Sequence, residues 1–232
     1  MSHSLWNFST LIMFINFIIY LLLLLLIFIN GAVQLKRHST PFIILITLIG
    51  LTFLSELIGR FLAMKLRNSM PVYHVISVLE YTCITLIYLY FLKGKKFRVI
   101  KYLLPVLIIC SFLNSLYIQG LLNFPSNSIL LFQIVYLCYA LLGLIQMLKI
   151  PNQILIRKQS FFWLNISLLF YSSTQLLFFG LLNYAIKHHL NLNPVFTFSF
   201  IINLIYYSLL AISIRLDRIS PNRSTHNEVL DK

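Results

Sequence analysis

Seven apolar stretches, each about twenty residues long, leave this chain few ways to fold. In α-helical form a run of that length crosses the ~30 Å hydrocarbon core of a bilayer. Lipid admits only elements that satisfy their own backbone hydrogen bonds. The stretches cover about 9–30, 41–64, 71–92, 99–119, 128–149, 160–186 and 193–215. They predict an all-α, polytopic bundle of seven transmembrane helices, forming one membrane domain over 1–215. A polar, disordered cytoplasmic tail is expected over 216–232. A hydrophobic content of 59% with only 10% charged residues excludes an ordinary soluble domain.

The loops predict the orientation. With the N-terminus outside, the inner segments hold Lys36, Arg37, Lys93, Lys95, Lys96, Arg98, Lys101, Lys149, Arg157, Lys158, Arg215, Arg218 and Arg223. The outer loops hold Lys65, Arg67 and Lys187. Thirteen basic residues against three is a strong positive-inside bias, so the chain is expected N-out and C-in, in the inner (plasma) membrane. The net charge of +13 then reflects attraction to the anionic inner leaflet, with no nucleic-acid partner. The first span has no preceding basic residue and too long an apolar run for a signal peptide, so it is expected to be an uncleaved anchor. Cys83, Cys110 and Cys138 fall near mid-span and are expected as buried small apolar residues, without a disulfide framework.

Charge within the spans is the chemical signal. Of five acidic residues, Asp217, Glu228 and Asp231 belong to the expected tail. The other two, Glu56 and Glu80, lie with Arg60 inside apolar stretches. A charge at the centre of a spanning helix costs roughly 2.5–3.5 kcal/mol on insertion scales. Intramembrane ionisable groups therefore mark function by default. Both carboxylates are expected at one depth in the outer half, on helices joined by a short loop and hence antiparallel neighbours. Arg60 follows Glu56 at i+4, on the same helix face, and is expected between the two acids.

Other polar residues reach the same level. Gln133, Gln175 and Asn203 belong to helices five, six and seven, and Tyr73 and Ser77 share the face of Glu80. The candidate ligand- or ion-binding set is Glu56, Arg60, Glu80, Gln175, Asn203, Tyr73, Ser77 and Gln133. No catalytic residue, metal site or cofactor is expected. Polar groups also glue helices together at about 0.6 kcal/mol each, which competes as an explanation for Ser, Thr and Tyr. His74 is expected at the outer rim, rotated off the Glu80 face.

An internal repeat is also expected. Ser55-Glu56-Leu57-Ile58 on helix two parallels Thr174-Gln175-Leu176-Leu177 on helix six. Pro71-Val72-Tyr73 opens helix three and Pro194-Val195-Phe196 opens helix seven, with Glu80 and Asn203 each nine residues after the proline. The pattern predicts a 3+1+3 parallel arrangement, with the site between the halves.

Several readings are excluded. Helix seven has no lysine for a retinal Schiff base. Glu56-x-x-x-Arg60 is similar to part of the Glu-Glu-x-x-x-Arg motif of CAAX-type intramembrane proteases, but Ser55 replaces the first acid. The 3+1+3 layout resembles sugar transporters of the SWEET and semi-SWEET type in architecture alone, since no Pro-Gln dipeptide occurs. The stretch from Ser55 to Glu80, with Phe161-Phe162-Trp163-Leu164-Asn165, resembles a family of small, uncharacterised seven-helix bacterial membrane proteins. That resemblance implies a membrane sensor working beside a separate kinase. The expected function is sensor or receptor-like, with a small ligand, ion or proton entering from outside. The basic inner loops, Lys93 to Lys101 above all, would contact a protein partner. A small-solute or proton-coupled transporter is the alternative, and a scaffold subunit of a membrane complex the third.

Overall fold

The computed structural model describes the backbone of residues 2–92, 94–149 and 155–219, and the side chains of these residues apart from 2–13, 95 and 96. Within them lie seven long helices and no strand: α1 (Ser2–Ala32), α2 (Thr40–Leu66), α3 (Met70–Phe91), α4 (Val99–Leu113), α5 (Ser126–Lys149), α6 (Ser160–Lys187) and α7 (Asn193–Ile219). All seven are long and apolar enough to cross a membrane, so the chain is a multi-pass membrane protein by length and composition. A five-residue π-helical turn, Asn114–Ile118, extends α4.

Local chemistry sets the helix ends. Pro41 and Pro71 lie in the first turns of α2 and α3, where a missing N–H costs nothing. Arg67 closes α2 in the left-handed region at φ 55°. The α1–α2, α3–α4 and α5–α6 connections each contain a short 3-10 turn, at Leu35–Arg37, Lys95–Arg98 and Ile156–Lys158. These connections share one end of the bundle with the C-terminus of α7, and this is called the basic end.

Six helices close a ring in the order α1, α2, α3, α5, α6, α7 and back to α1. Helix α4 stands outside it, against α3. That placement leaves two consecutive three-helix groups on either side of one outlying helix.

The hydrophobic core is not centred. Leu24 and Ile27 of α1, Phe42, Leu45, Ile46, Leu48 and Ile49 of α2, Ile84, Ile87 and Tyr88 of α3, Leu164 and Leu168 of α6, and Leu210 and Ile214 of α7 all belong to it. Each lies in the half of its helix nearer the basic end. Stacked and edge-on rings fill the same half: Phe91 and Phe161 stack at 3.9 Å, and Tyr88 lies 5.2 Å from Tyr139. Two buried glycines show how close that packing is. A β-carbon on Gly143 would overlap the Asn165 carboxamide, and one on Gly50 would come within 2.6 Å of Phe28. In the opposite half Gly180 faces outward and has nothing within 4 Å, while Phe178, Phe179, Ala185 and Ile202 are buried.

Three expectations change. Residues 216–219 continue α7 rather than opening a tail, and Asp217 among them is buried. The rest of the expected tail, with Glu228, Asp231 and Arg223, lies outside the described residues, as does Lys93 and the side chains of Lys95 and Lys96. The cysteines are free, but only Cys83 packs, half-buried, against the core, while Cys110 and Cys138 point outward. His74 is buried rather than interfacial: its Nδ1 meets Ser115 Oγ at 2.6 Å and its Nε2 meets the Asn123 carbonyl at 2.9 Å. It ties α3 to the turn after α4.

Candidate functional site

The upper edge of the core, facing away from the basic end, is made of tyrosine. Tyr20 of α1, Tyr81 of α3, Tyr136 of α5 and Tyr206 and Tyr207 of α7 are all buried there. Tyr171 of α6 stacks on Tyr206 with ring centroids 4.1 Å apart, Tyr206 meets Tyr207 at 4.9 Å, and Tyr207 meets Tyr20 at 5.7 Å. On the other side Tyr81 stacks between Phe132 at 4.5 Å and Tyr136 at 6.5 Å. Five helices of the ring therefore contribute to one aromatic floor.

Glu56 and Glu80 sit at the level of this floor. Each is ten residues from the end of its helix at the α2–α3 loop, so both lie ~15 Å from that end by the helical rise. The two acids lie on adjacent helices, and Glu80 directly precedes Tyr81 of the floor. Among the described residues, neither carboxylate has a hydrogen bond or an ion pair.

Arg60 does not lie between them. Its side chain is exposed, and the guanidinium stands 5.5 Å from the centroid of the Phe17 ring on α1. The i+4 spacing placed it on the correct face in projection, but a long side chain near a helix end turns outward more cheaply than it enters a tyrosine layer. The expected Glu56–Arg60–Glu80 ion network is absent among the described residues.

The remaining candidates divide. Gln175 is buried on α6, one turn beyond Tyr171. Tyr73 is half-buried within reach of Glu56, its hydroxyl over Gly59. Gln133 is buried one turn before Tyr136, with its amide oxygen unpartnered. Asn203 is half-buried one turn before Tyr206, with no hydrogen bond among the described residues. Ser77 is spent on its own helix, donating to the His74 carbonyl at 3.1 Å. Ser173 and Thr174 back-bond in the same way, so much of the polar run on α6 is local structure.

The tyrosines Tyr20, Tyr136, Tyr206 and Tyr207 were not among the expected site residues. Their signal is legible in hindsight: tyrosine favours membrane interfaces, where its hydroxyl meets water, and these lie at mid-span. Comparison with protein-family models, with curated proteins and with solved structures returned no match.

A second polar centre occupies the basic end. The Asp217 carboxylate accepts from the Ser39 amide at 3.0 Å and from the Ser39 hydroxyl at 2.7 Å. His38 Nδ1 meets the same oxygen as the Ser39 amide, Oδ2, at 3.0 Å. Next to it Arg218 donates to Gln34 at 2.9 Å. Ser39 is the residue preceding α2, so this clasp fastens the end of α7 to the start of α2.

Proposed function

We propose that this chain is a receptor-like membrane sensor whose ligand, ion or proton occupies the layer between Glu56, Glu80 and the tyrosine floor. The observation that carries the reading is the pair of intramembrane carboxylates left without a partner. Removing two carboxylates from water without hydrogen bonds or a counter-charge is costly, and a merely structural role would supply such partners. Access runs from the half away from the basic end, which the positive-inside rule assigns to the outside. The basic loops then face the cytoplasm of a bacterial cell, where a separate protein partner reads a shift in helix packing.

Packing supports sensing over passage. Beneath the tyrosines, Tyr88, Tyr139, Phe91, Phe161 and the aliphatic core fill the ring interior. A transporter needs a polar route through that half, and Asn165 there is committed to Tyr88 at 2.6 Å and to the Phe161 carbonyl at 2.8 Å. One observation favours the transporter: α4 outside the ring leaves the two three-helix groups that a parallel repeat requires.

Flux separates the two. In proteoliposomes, with protons read by an entrapped dye and radiolabelled amines as solutes, the sensor gives no vectorial, Glu56-dependent movement. Such movement would establish the transporter instead. Wild-type behaviour of the combined Glu56→Gln, Arg60→Leu, Glu80→Gln variant would leave a scaffold role.

A further inference from the structure

His74 is a buried histidine, 6% exposed, with both ring nitrogens engaged. It stands near the start of α3, against the π-helical turn Asn114–Ile118 and the loop that follows. Counting hydrogens shows what its contacts require. Nε2 lies 2.9 Å from the Asn123 carbonyl, which can only accept, so Nε2 carries a hydrogen. The Ser115 hydroxyl lies 2.6 Å from Nδ1 and 2.9 Å from the Ser111 carbonyl, a second oxygen that can only accept. Three contacts need three hydrogens, and a neutral ring with one hydroxyl supplies two. Ser115 must then leave either Nδ1 or the Ser111 carbonyl unanswered. With a proton on Nδ1, the ring donates to Ser115, Ser115 donates to Ser111, and every contact is filled.

The α4–α5 hairpin hangs on these contacts. Ser115 belongs to the π-turn, which the Gln119 amide closes by donating to the Asn114 carbonyl at 2.9 Å. Turns of this kind recur at functional sites. The Asn114 amide donates to Gln119 at 2.8 Å and to Ser128 at 3.1 Å, and Gln119 donates to Ser126 at 2.7 Å. Turn and helix start are thereby one hydrogen-bonded body, built from groups that do not titrate. Asn68 donates to the Leu122 carbonyl and Tyr73 packs on Phe124, and these two attachments do not depend on the His74 proton.

The surrounding charges do not answer the ring. Helices α2, α4 and α5 pack against α3. At this end α2 brings Lys65 and the following Arg67, and α4 with its turn brings Cys110 and Tyr117, all exposed. Helix α5 has nothing titratable before Tyr136. The end of α6, which meets Phe124 through Phe179, carries Tyr184, Lys187 and the following His188 and His189, all exposed. On α3 itself Tyr73 precedes His74, and Glu80 lies six residues on, roughly 9 Å along the axis. His74 has no ion pair among the described residues. The cost of a buried charge is therefore set against one added hydrogen bond rather than against an acid.

We propose that His74 binds a proton from the face opposite the basic end, where Asn123 is exposed, and that the bound proton closes a latch through Ser111, Ser115, His74 and Asn123 that fixes the α4–α5 hairpin to α3. Loss of the proton empties one contact and loosens the hairpin. The latch stands apart from Glu56 and Glu80 and does not rest on the sensor reading.

The ring can be followed by NMR on the full chain in nanodiscs with isotope-labelled histidine, its signal assigned by the change in His74→Gln and in Ser115→Ala. Between about pH 8 and pH 5 it should pass from a neutral form protonated on Nε2 to the doubly protonated form. A nitroxide at Leu121→Cys, with Cys83, Cys110 and Cys138 replaced by alanine, reports on the hairpin and should be more mobile at the higher pH. His74→Gln and Ser115→Ala should each abolish that pH response, while the ring of Ser115→Ala still titrates. Glu56→Gln combined with Glu80→Gln should leave both readouts as in wild type. Circular dichroism and thermal melting establish that each variant is folded, and Ser115→Ala carries the test should His74→Gln not fold. A ring that keeps one charge state, a neutral form protonated on Nδ1, or a mobility response that survives Ser115→Ala would overturn the proposal. So would loss of the response in the double glutamine variant, which would assign the proton to the acids.

Discussion

Asp217 and the pair Glu56–Glu80 are the same chemical group treated in opposite ways. Asp217, in the last turn of α7, meets three polar atoms of His38 and Ser39. Glu56 and Glu80 meet none among the described residues. The surroundings differ too: Asp217 lies where the end of α7 meets the start of α2, whereas Glu56 and Glu80 lie near mid-span, each half-buried. A carboxylate that the fold has satisfied holds the fold together. One that the fold leaves unsatisfied is available to something else.

Unfolding measurements can break this contrast, and the largest effect should come from the clasp. Asp217→Ala strips the partners from His38 and Ser39 and should cost about 3–5 kcal/mol. Glu56→Gln and Glu80→Gln, by contrast, remove a charge that contributes no bond and should leave the unfolding midpoint unchanged or raised. A clear loss from either glutamine variant would show that the interior acids are structural after all.

The glycines sharpen the same contrast at smaller scale. Gly143→Ala drives a methyl into the Asn165 carboxamide and should cost about 1–3 kcal/mol. Gly180→Ala meets open space and should be neutral or stabilising by up to about 1 kcal/mol, the helix-propensity gain. Smallest of all is Arg60→Leu. It forfeits one exposed cation–π contact, about 0.5–1 kcal/mol, which removal of a charge from the span offsets.

The fold was largely legible because lipid simplifies the problem. Twenty apolar residues have one good solution in a bilayer, so seven runs give seven helices, with ends displaced by a few residues. What the runs do not encode is which helices touch. The short α2–α3 loop makes Glu56 and Glu80 neighbours, but nothing local shows that α4 stands outside the ring. The site was legible in part. Charge marks Glu56 and Glu80 at once, whereas Arg60 misled because helical spacing fixes a face and not the direction of a long side chain. Tyr136, Tyr206 and Tyr207 read as ordinary aromatic bulk until ring packing gathers them near mid-span. Asp217 escaped notice for the reverse reason: it sits among polar residues in sequence, and its burial depends on Ser39, far away along the chain.

Lipophilic carbodiimide labelling, mapped by mass spectrometry, tests most directly whether the interior acids stand open while Asp217 is taken. The account predicts adducts on Glu56 and Glu80, with Asp217 unmodified. Unreactive glutamates, or an adduct on Asp217, would contradict it.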